Sequence, residues 1–237
     1  MLATDRILLR LHIEAVWGVR LLTIEQHDVE LLAESPQPSW KLCVAELANE
    51  RVYIWRPDVS VPERKALRLR VAEVGTSPST PVTSAGVAHE VAFSLTAPPH
   101  IDVNTARSIA RPLTTEDRSL VEAFEPGSLD YYFHPARRPL IGVVSAGQVL
   151  SLAHSSRRTP EACELGIDTL PQARRKGYAL AATILWAHTV QQAGIVPLYS
   201  AAATNSASLR LAEAAGYRAF AHVAVLDEKA LLERDGS

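Results

Sequence analysis

The chain has 237 residues, 47% of them apolar and 21% charged, a balance that excludes a disordered tail or a fibrous repeat and leaves room for a sizeable core. A net charge of −2 and a pI of about 6.5 give no electrostatic signature for nucleic acid or an anionic membrane surface. Two cysteines, Cys43 and Cys163, are too few for a disulfide framework, and no Cys/His spacing suggests a metal site.

At the start, "MLATDRILLRLHIEAVWG" carries Asp5, Arg6 and Arg10 and lacks the unbroken apolar run of a secretory leader, and the longest weakly polar run, "YALAATILWAHTV", is too short for a bilayer. The expectation is a cytoplasmic protein. "WKLCVAELANERVYIWRP" gives two apolar runs around "ANER", a hairpin that stops at Pro57. "VPERKALRLRVAEV" predicts a helix with Pro62 in its first turn and Val61, Ala66, Leu69 and Val71 as its apolar face. "GTSPSTPVTSAG" predicts a loop or linker, and "TAPPH" breaks the chain again near residue 98. A boundary is expected there: a smaller N-terminal α+β domain over 1–102, whose residues carry no chemical motif, and a second domain over 103–237.

In the second part "ARPLTTEDRSLVEAF" predicts a helix capped by Thr114 or Thr115, with Glu116 and Asp117 in the first turn. "PLIGVVSAGQVLSLAHS" is a hairpin with Gly147 at its tight point, and "ACELGIDTLP" is a strand stopped at Pro171. A helix follows from about Tyr178 to Ala193, with Leu180, Ile184, Ala187 and Val190 as its buried stripe. "PLYSAA" is a strand, Asn205 caps a helix that closes at Gly216, and "YRAFAHVAVL" is a last strand. Strands and helices in this order predict a mixed α/β sheet.

The informative stretch is "PQARRKGYALAATILW". Arg174, Arg175 and Lys176 run into Gly177 at the start of a helix with no acidic residue in its first turn. A solvated turn is the plain reading of such a charge run. Its position between a strand and a helix offers another: helix N-terminal amides lack intrahelical partners, the macrodipole is positive there, and a glycine lets an anion approach backbone. A pyrophosphate suits that arrangement. The spacing is neither the dinucleotide-binding glycine pattern nor a P-loop, and "GVVSAG" is not a hydrolase elbow.

What stands is P-x-x-R-x-x-G-x-A at Pro171, Arg174, Gly177 and Ala179, preceded by "GIDTLP" and followed by "PLYSAAATNSASLRLAEAAGYRAF". Over about residues 105–226 the chain resembles the GCN5-related N-acetyltransferases (GNAT), and its pattern most resembles the acetyltransferases that include antibiotic self-resistance enzymes. The resemblance implies the GNAT fold, a mixed sheet splayed around acyl-CoA, and N-acetyl transfer from acetyl-CoA to a primary amine of a small molecule or peptide. It implies neither a nucleic acid nor a membrane partner and leaves room for a homodimer. Carried over residue by residue, the backbone of Ile167, Asp168 and Thr169 would hold the acetyl group and pantetheine. Arg174 and the amides of Arg175, Lys176, Gly177, Tyr178 and Ala179 would take the pyrophosphate, and Asn205 and Ser208 would contact the cofactor arm.

For catalysis, the glutamate base frequent in the family falls at Cys163 or Glu164, and Glu164 is the candidate. The bland alternative has it facing solvent or neutralising nearby arginines. Cys163 as nucleophile is the weaker option, since buried cysteines usually only pack. Where the family often has a tyrosine acid this chain has Ala212; Tyr178 and Tyr199 are expected to pack, His154 to sit in a polar turn, and His188 to be a satisfied helix histidine. The rival class is an acyl-CoA-binding sensor without turnover.

Overall fold

The computed structural model describes residues 4–76 and 86–232; most of the expected loop "GTSPSTPVTSAG" lies outside them. In chain order the elements are α1 (Asp5–Trp17), β1 (Asp28–Glu30), β2 (Leu42–Glu46), β3 (Arg51–Trp55), α2 (Val61–Val74), β4 (Val87–Leu95), α3 (Val103–Ile109) and β5 (Arg111–Pro112). There follow α4 (Arg118–Phe124), α5 (Leu129–Tyr132), β6 (Ile141–Ser145), β7 (Gln148–Arg158), β8 (Ala162–Thr169), α6 (Tyr178–Gln192), β9 (Val196–Ala202), α7 (Ser206–Ala214), β10 (Tyr217–Leu226) and α8 (Lys229–Leu232). Two compact units result: Met1–Phe93 with Ser200–Leu209 and Ala219–Ser237, and Ser94–Tyr199 with Arg210–Arg218. The chain thus returns to the first unit twice after residue 199, a feature that a single cut between residues 102 and 103 does not capture.

In the first unit β2 and β3 form the expected hairpin, β1 lies parallel to β3, and His222–Leu226 of β10 run antiparallel to Leu42–Glu46. Helix α1 has no counterpart in the sequence reading. Thr4 Oγ1 accepts from Ile7 N at its start, and Gly18 closes it in the left-handed region at φ 66°. Helix α2 begins with a capping box in which the Ser60 amide donates to Glu63 at 2.8 Å. Its buried stripe is Leu67, Val71 and Val74, whereas Val61 is 80% exposed, so the expected apolar face is displaced. Leu67 and Val71 pack with Leu42, Val44, Trp55, Ala224 and Leu226. Burying such side chains stabilises by about 1.5–3 kcal/mol each.

In the second unit the strand order is β9-β8-β7-β6-β5. The β6–β7 hairpin turns on Ala146 and Gly147, both at positive φ (48° and 72°), which is the two-residue turn that matches strand twist. Thr114 caps the 115–117 turn leading into α4, and Asp117 reaches back to its amide at 2.9 Å. Leu113, Val121, Tyr132, Leu140, Val149 and Leu152 form the core on the α4–α5 side. Helix α6 packs on β6, β7 and β8 and against α3. It buries Ala181 through Ala187 and Val190 rather than a single stripe. The Trp186 indole N–H donates to Ser155 Oγ at 3.3 Å, satisfying a buried donor.

Candidate functional site

Strand β8 is paired on both sides only along its first residues. Its parallel register with β9 runs Ala162–Val196, Cys163–Pro197 and Glu164–Leu198, while its antiparallel register with β7 continues to Ser151–Thr169. The two parallel strands therefore part after Glu164. The amide of Leu170 donates to Leu150 O at 3.0 Å. Antiparallel pairing alternates, so Gly166 and Asp168 also turn their backbone groups toward β7; Leu165 turns its amide to β9 at the last parallel pair, and Ile167 and Thr169 turn theirs to the open edge. Of the three residues expected to offer backbone to a ligand, Ile167 and Thr169 thus face the gap. Asp168 does not; its carbonyl accepts from Ser151 Oγ at 3.0 Å.

Below β8 the chain makes a short turn at 171–173 and reaches α6 through Arg174–Gly177. Gly177 is the N-cap at φ 80°, and a Cβ placed there would meet nothing within 4 Å. Arg175 is also left-handed, at φ 60°. Arg174, Arg175 and Lys176 are exposed, and none forms an ion pair among the described residues. The loop combines free helix-start amides, open space above a glycine and uncompensated positive charge, which fits a phosphate group. Tyr178 and Ala179 open the helix, partly buried.

Alternation along β8 puts Glu164, Gly166 and Asp168 on one face. Glu164, 2% exposed, stands at the last position paired with β9. It is therefore not a solvent-facing acid. One pair further along, His154 of β7 lies opposite Gly166. A Cβ on Gly166 would come within 2.3 Å of the His154 ring, so only glycine admits that ring. We expect Gly166→Ala to cost about 1–3 kcal/mol through overpacking; coincident urea melts of the two proteins would refute it.

His154 is not in a polar turn: it is a strand residue, 4% exposed. Its Nε2 lies 3.1 Å from Tyr131 Oη, and its ring meets those of Tyr131 and Tyr132 edge-on at 5.4 and 5.1 Å. Burial, helped by the Arg137 charge, holds its pKa down at about 4. Between the free-histidine value of about 6.5 and 4, the folded state binds fewer protons than the unfolded. The contribution is complete above about pH 6.5 and is lost as pH falls through that window, about 3 kcal/mol in all. Urea unfolding of His154→Leu should show this acid-side slope removed. Asp168, whose raised pKa tilts stability the other way, is common to both proteins and cancels.

The remaining candidates separate clearly. Cys163 is fully buried, and burial raises its thiol pKa, which keeps it protonated. Ala212 is fully buried, and the rings of Tyr199 and Tyr217 meet at 5.5 Å in the core. The Tyr217 hydroxyl pKa is pushed up by burial first and by the Glu164 charge second. His188 Nε2 lies 3.1 Å from an Arg107 guanidinium nitrogen. Asn205 and Ser208 belong to the first unit, where Asn205 Oδ1 accepts from the Ser208 amide at 3.1 Å and caps α7. The sequence reading missed Glu125, Tyr131 and Tyr132, which come from the end of α4 and from a four-residue helix, too short for any periodic signal.

Residues 130–223 match the family model described as GNAT acetyltransferase. Among solved structures, an acetyltransferase from the GNAT family of Colwellia psychrerythraea aligns with a TM-score of 0.50 at 14% identity, covering 73% of this chain and 75% of its own. A putative GNAT-family acetyltransferase from Novosphingobium aromaticivorans is 24% identical, with 62% and 70% covered and a TM-score of 0.47. No curated protein matches. None of these matches bears on the antibiotic self-resistance subgroup. Among the described residues no helix is long and apolar enough to cross a membrane. The matched segment begins in α5, contains the β8–β9 parting and the loop before α6, and ends in β10: over residues 130–223 the chain is similar to the GNAT acetyltransferases.

Proposed function

We propose that the enzyme moves the acetyl group of acetyl-CoA directly to a primary amine in a ternary complex. The observation that carries this reading is the parting of β8 from β9 immediately after a buried carboxylate, Glu164. The open backbone of Ile167 and Thr169 offers the donors and acceptors that an amide-bearing pantetheine arm pairs with. Arg174 and the amides from Arg175 to Ala179 would take the pyrophosphate, each charge-assisted hydrogen bond contributing about 1.5–3 kcal/mol. When bound, acetyl-CoA supplies an activated acetyl carbon at the mouth of this gap.

The chain's own task is then to present a neutral amine. An alkyl ammonium with a pKa near 10 costs about 4 kcal/mol to deprotonate at neutral pH. Glu164 is the base we assign, taking the ammonium proton directly or through one water. The position where the family often has a tyrosine acid holds Ala212, without a hydroxyl. A thiolate with a pKa close to that of cysteine, about 8.5, leaves without a dedicated acid. The test is thiol release from acetyl-CoA against a panel of primary amines. Amine-dependent release supports the reading; CoA binding with no release from any amine replaces it with an acyl-CoA-binding module.

A further inference from the structure

Past Glu164, β8 has a neighbour on one edge only: β7 stays in register to Thr169, while β9 has left. Gly166, in that stretch, brings no side chain to stiffen it. What lies against it is His154. The Cε1–Nε2 edge of the imidazole occupies the space a Cβ on Gly166 would need, so the ring rests directly on the strand backbone. Tyr131 and Tyr132 meet that ring edge-on, with centroids at 5.4 and 5.1 Å, and meet each other at 5.2 Å. Both tyrosines are held in turn. Arg137 covers the Tyr131 ring at 4.2 Å, and Tyr132 Oη donates to Glu125 Oε2 at 2.5 Å.

An imidazole is a poor filler for this place. Its Nδ1 is buried without a hydrogen-bond partner, and burial holds its pKa at about 4. A leucine would carry neither penalty. What the imidazole supplies and a leucine cannot is direction. An orphaned buried N–H is rarer than an orphaned lone pair, so the ring proton belongs on Nε2, which lies 3.1 Å from Tyr131 Oη. That N–H donates to the hydroxyl and fixes the rotation of the ring over Gly166. A chain of contacts therefore runs from α5 through Tyr131 and His154 to the strand backbone between Leu165 and Ile167. We infer that His154, clamped by Tyr131, is a positioning residue that sets the path of β8 at Gly166, so that the Ile167 and Thr169 backbone stands in line for the pantetheine arm. Both side chains act through the strand rather than by touching the cofactor. The inference rests on the reading of the open edge as the pantetheine site and adds the residues that keep that edge in shape.

The test compares calorimetric binding of two probes to the full chain, to His154→Leu and to Tyr131→Phe. One probe is CoA; the other is 3′-phospho-ADP, its nucleotide half, which has the pyrophosphate and lacks pantetheine. We expect CoA to bind about tenfold more weakly to His154→Leu and about three- to fivefold more weakly to Tyr131→Phe, the scale of one hydrogen bond. The affinity for 3′-phospho-ADP should stay within about twofold in both variants. Tyr131 is 41% exposed and phenylalanine keeps its ring, so Tyr131→Phe folds even where loss of the imidazole unsettles the core. CoA affinity unchanged in both variants, or CoA and 3′-phospho-ADP weakened in parallel as a general loosening would do, overturns the inference and leaves the acyl-CoA reading standing. A wild-type chain that binds CoA no more tightly than 3′-phospho-ADP gains nothing from pantetheine; that result overturns the open-edge reading and this inference with it.

Discussion

Glu164→Gln should lower turnover on a reactive amine by roughly 10²–10⁴-fold while changing CoA affinity little. The substitution keeps the volume and the hydrogen-bonding shape of a side chain that is 2% exposed, and removes only its capacity to accept a proton. Its position makes the effect specific: Glu164 is the last β8 residue in register with β9, where the backbone of the open edge begins. The pH profile separates a base from a bystander. With a carboxylate base, wild-type turnover falls on the acid side as the group protonates, and that limb disappears in the variant. If the enzyme only captures amine already neutral in solution, raising the pH speeds both proteins equally. A variant within a few-fold of wild type at neutral pH would remove Glu164 from the chemistry.

Gly177→Glu should weaken CoA binding by on the order of 100-fold, the loss of about two charge-assisted hydrogen bonds. The fold should survive it. A side chain there meets nothing within 4 Å, and the left-handed backbone at φ 80° adds about 1–2 kcal/mol of strain. A carboxylate at a helix start offsets part of that cost. It also occupies, with the same sign of charge, the place where a phosphate would sit. Gly177→Asn is the control, since asparagine tolerates the left-handed region without charge; calorimetry should find its CoA affinity within about tenfold of wild type. Equal weakening by both substitutions would mean that backbone shape, not anion competition, is what the glycine serves.

These expectations draw on features that differ in how visible they were in the sequence. The turn at Ala146–Gly147, the strand ending at Pro171, Gly177 before an apolar run and Asn205 before Ser206 are local: each is fixed by the φ range or capping chemistry of one or two residues, and all appear in place. Helix α1 escaped because polar His12 and Glu14 interrupt its buried run. The face of α2 was misplaced because its apolar residues are sparse and two of them, Val61 and Leu69, point to solvent. At the site, the basic loop was legible because its residues are contiguous. The surroundings of His154 were not, because Tyr131, Tyr132, Glu125 and Gly166 reach it from separate elements, and only the β7–β8 register brings His154 over a glycine. The direction of the Asp168 backbone is likewise a matter of register parity, which no single strand sequence contains.

The most direct test of the central claim is amide hydrogen exchange along β8 and the start of α6, with and without CoA. The open edge predicts that the amides of Ile167 and Thr169 exchange readily in the free protein, while those of Gly166 and Asp168, paired to β7, are protected throughout. Saturating CoA should then slow exchange at Ile167 and Thr169 and at Gly177 to Ala179. Saturating CoA that leaves the Ile167, Thr169 and Gly177–Ala179 amides unchanged would contradict the account.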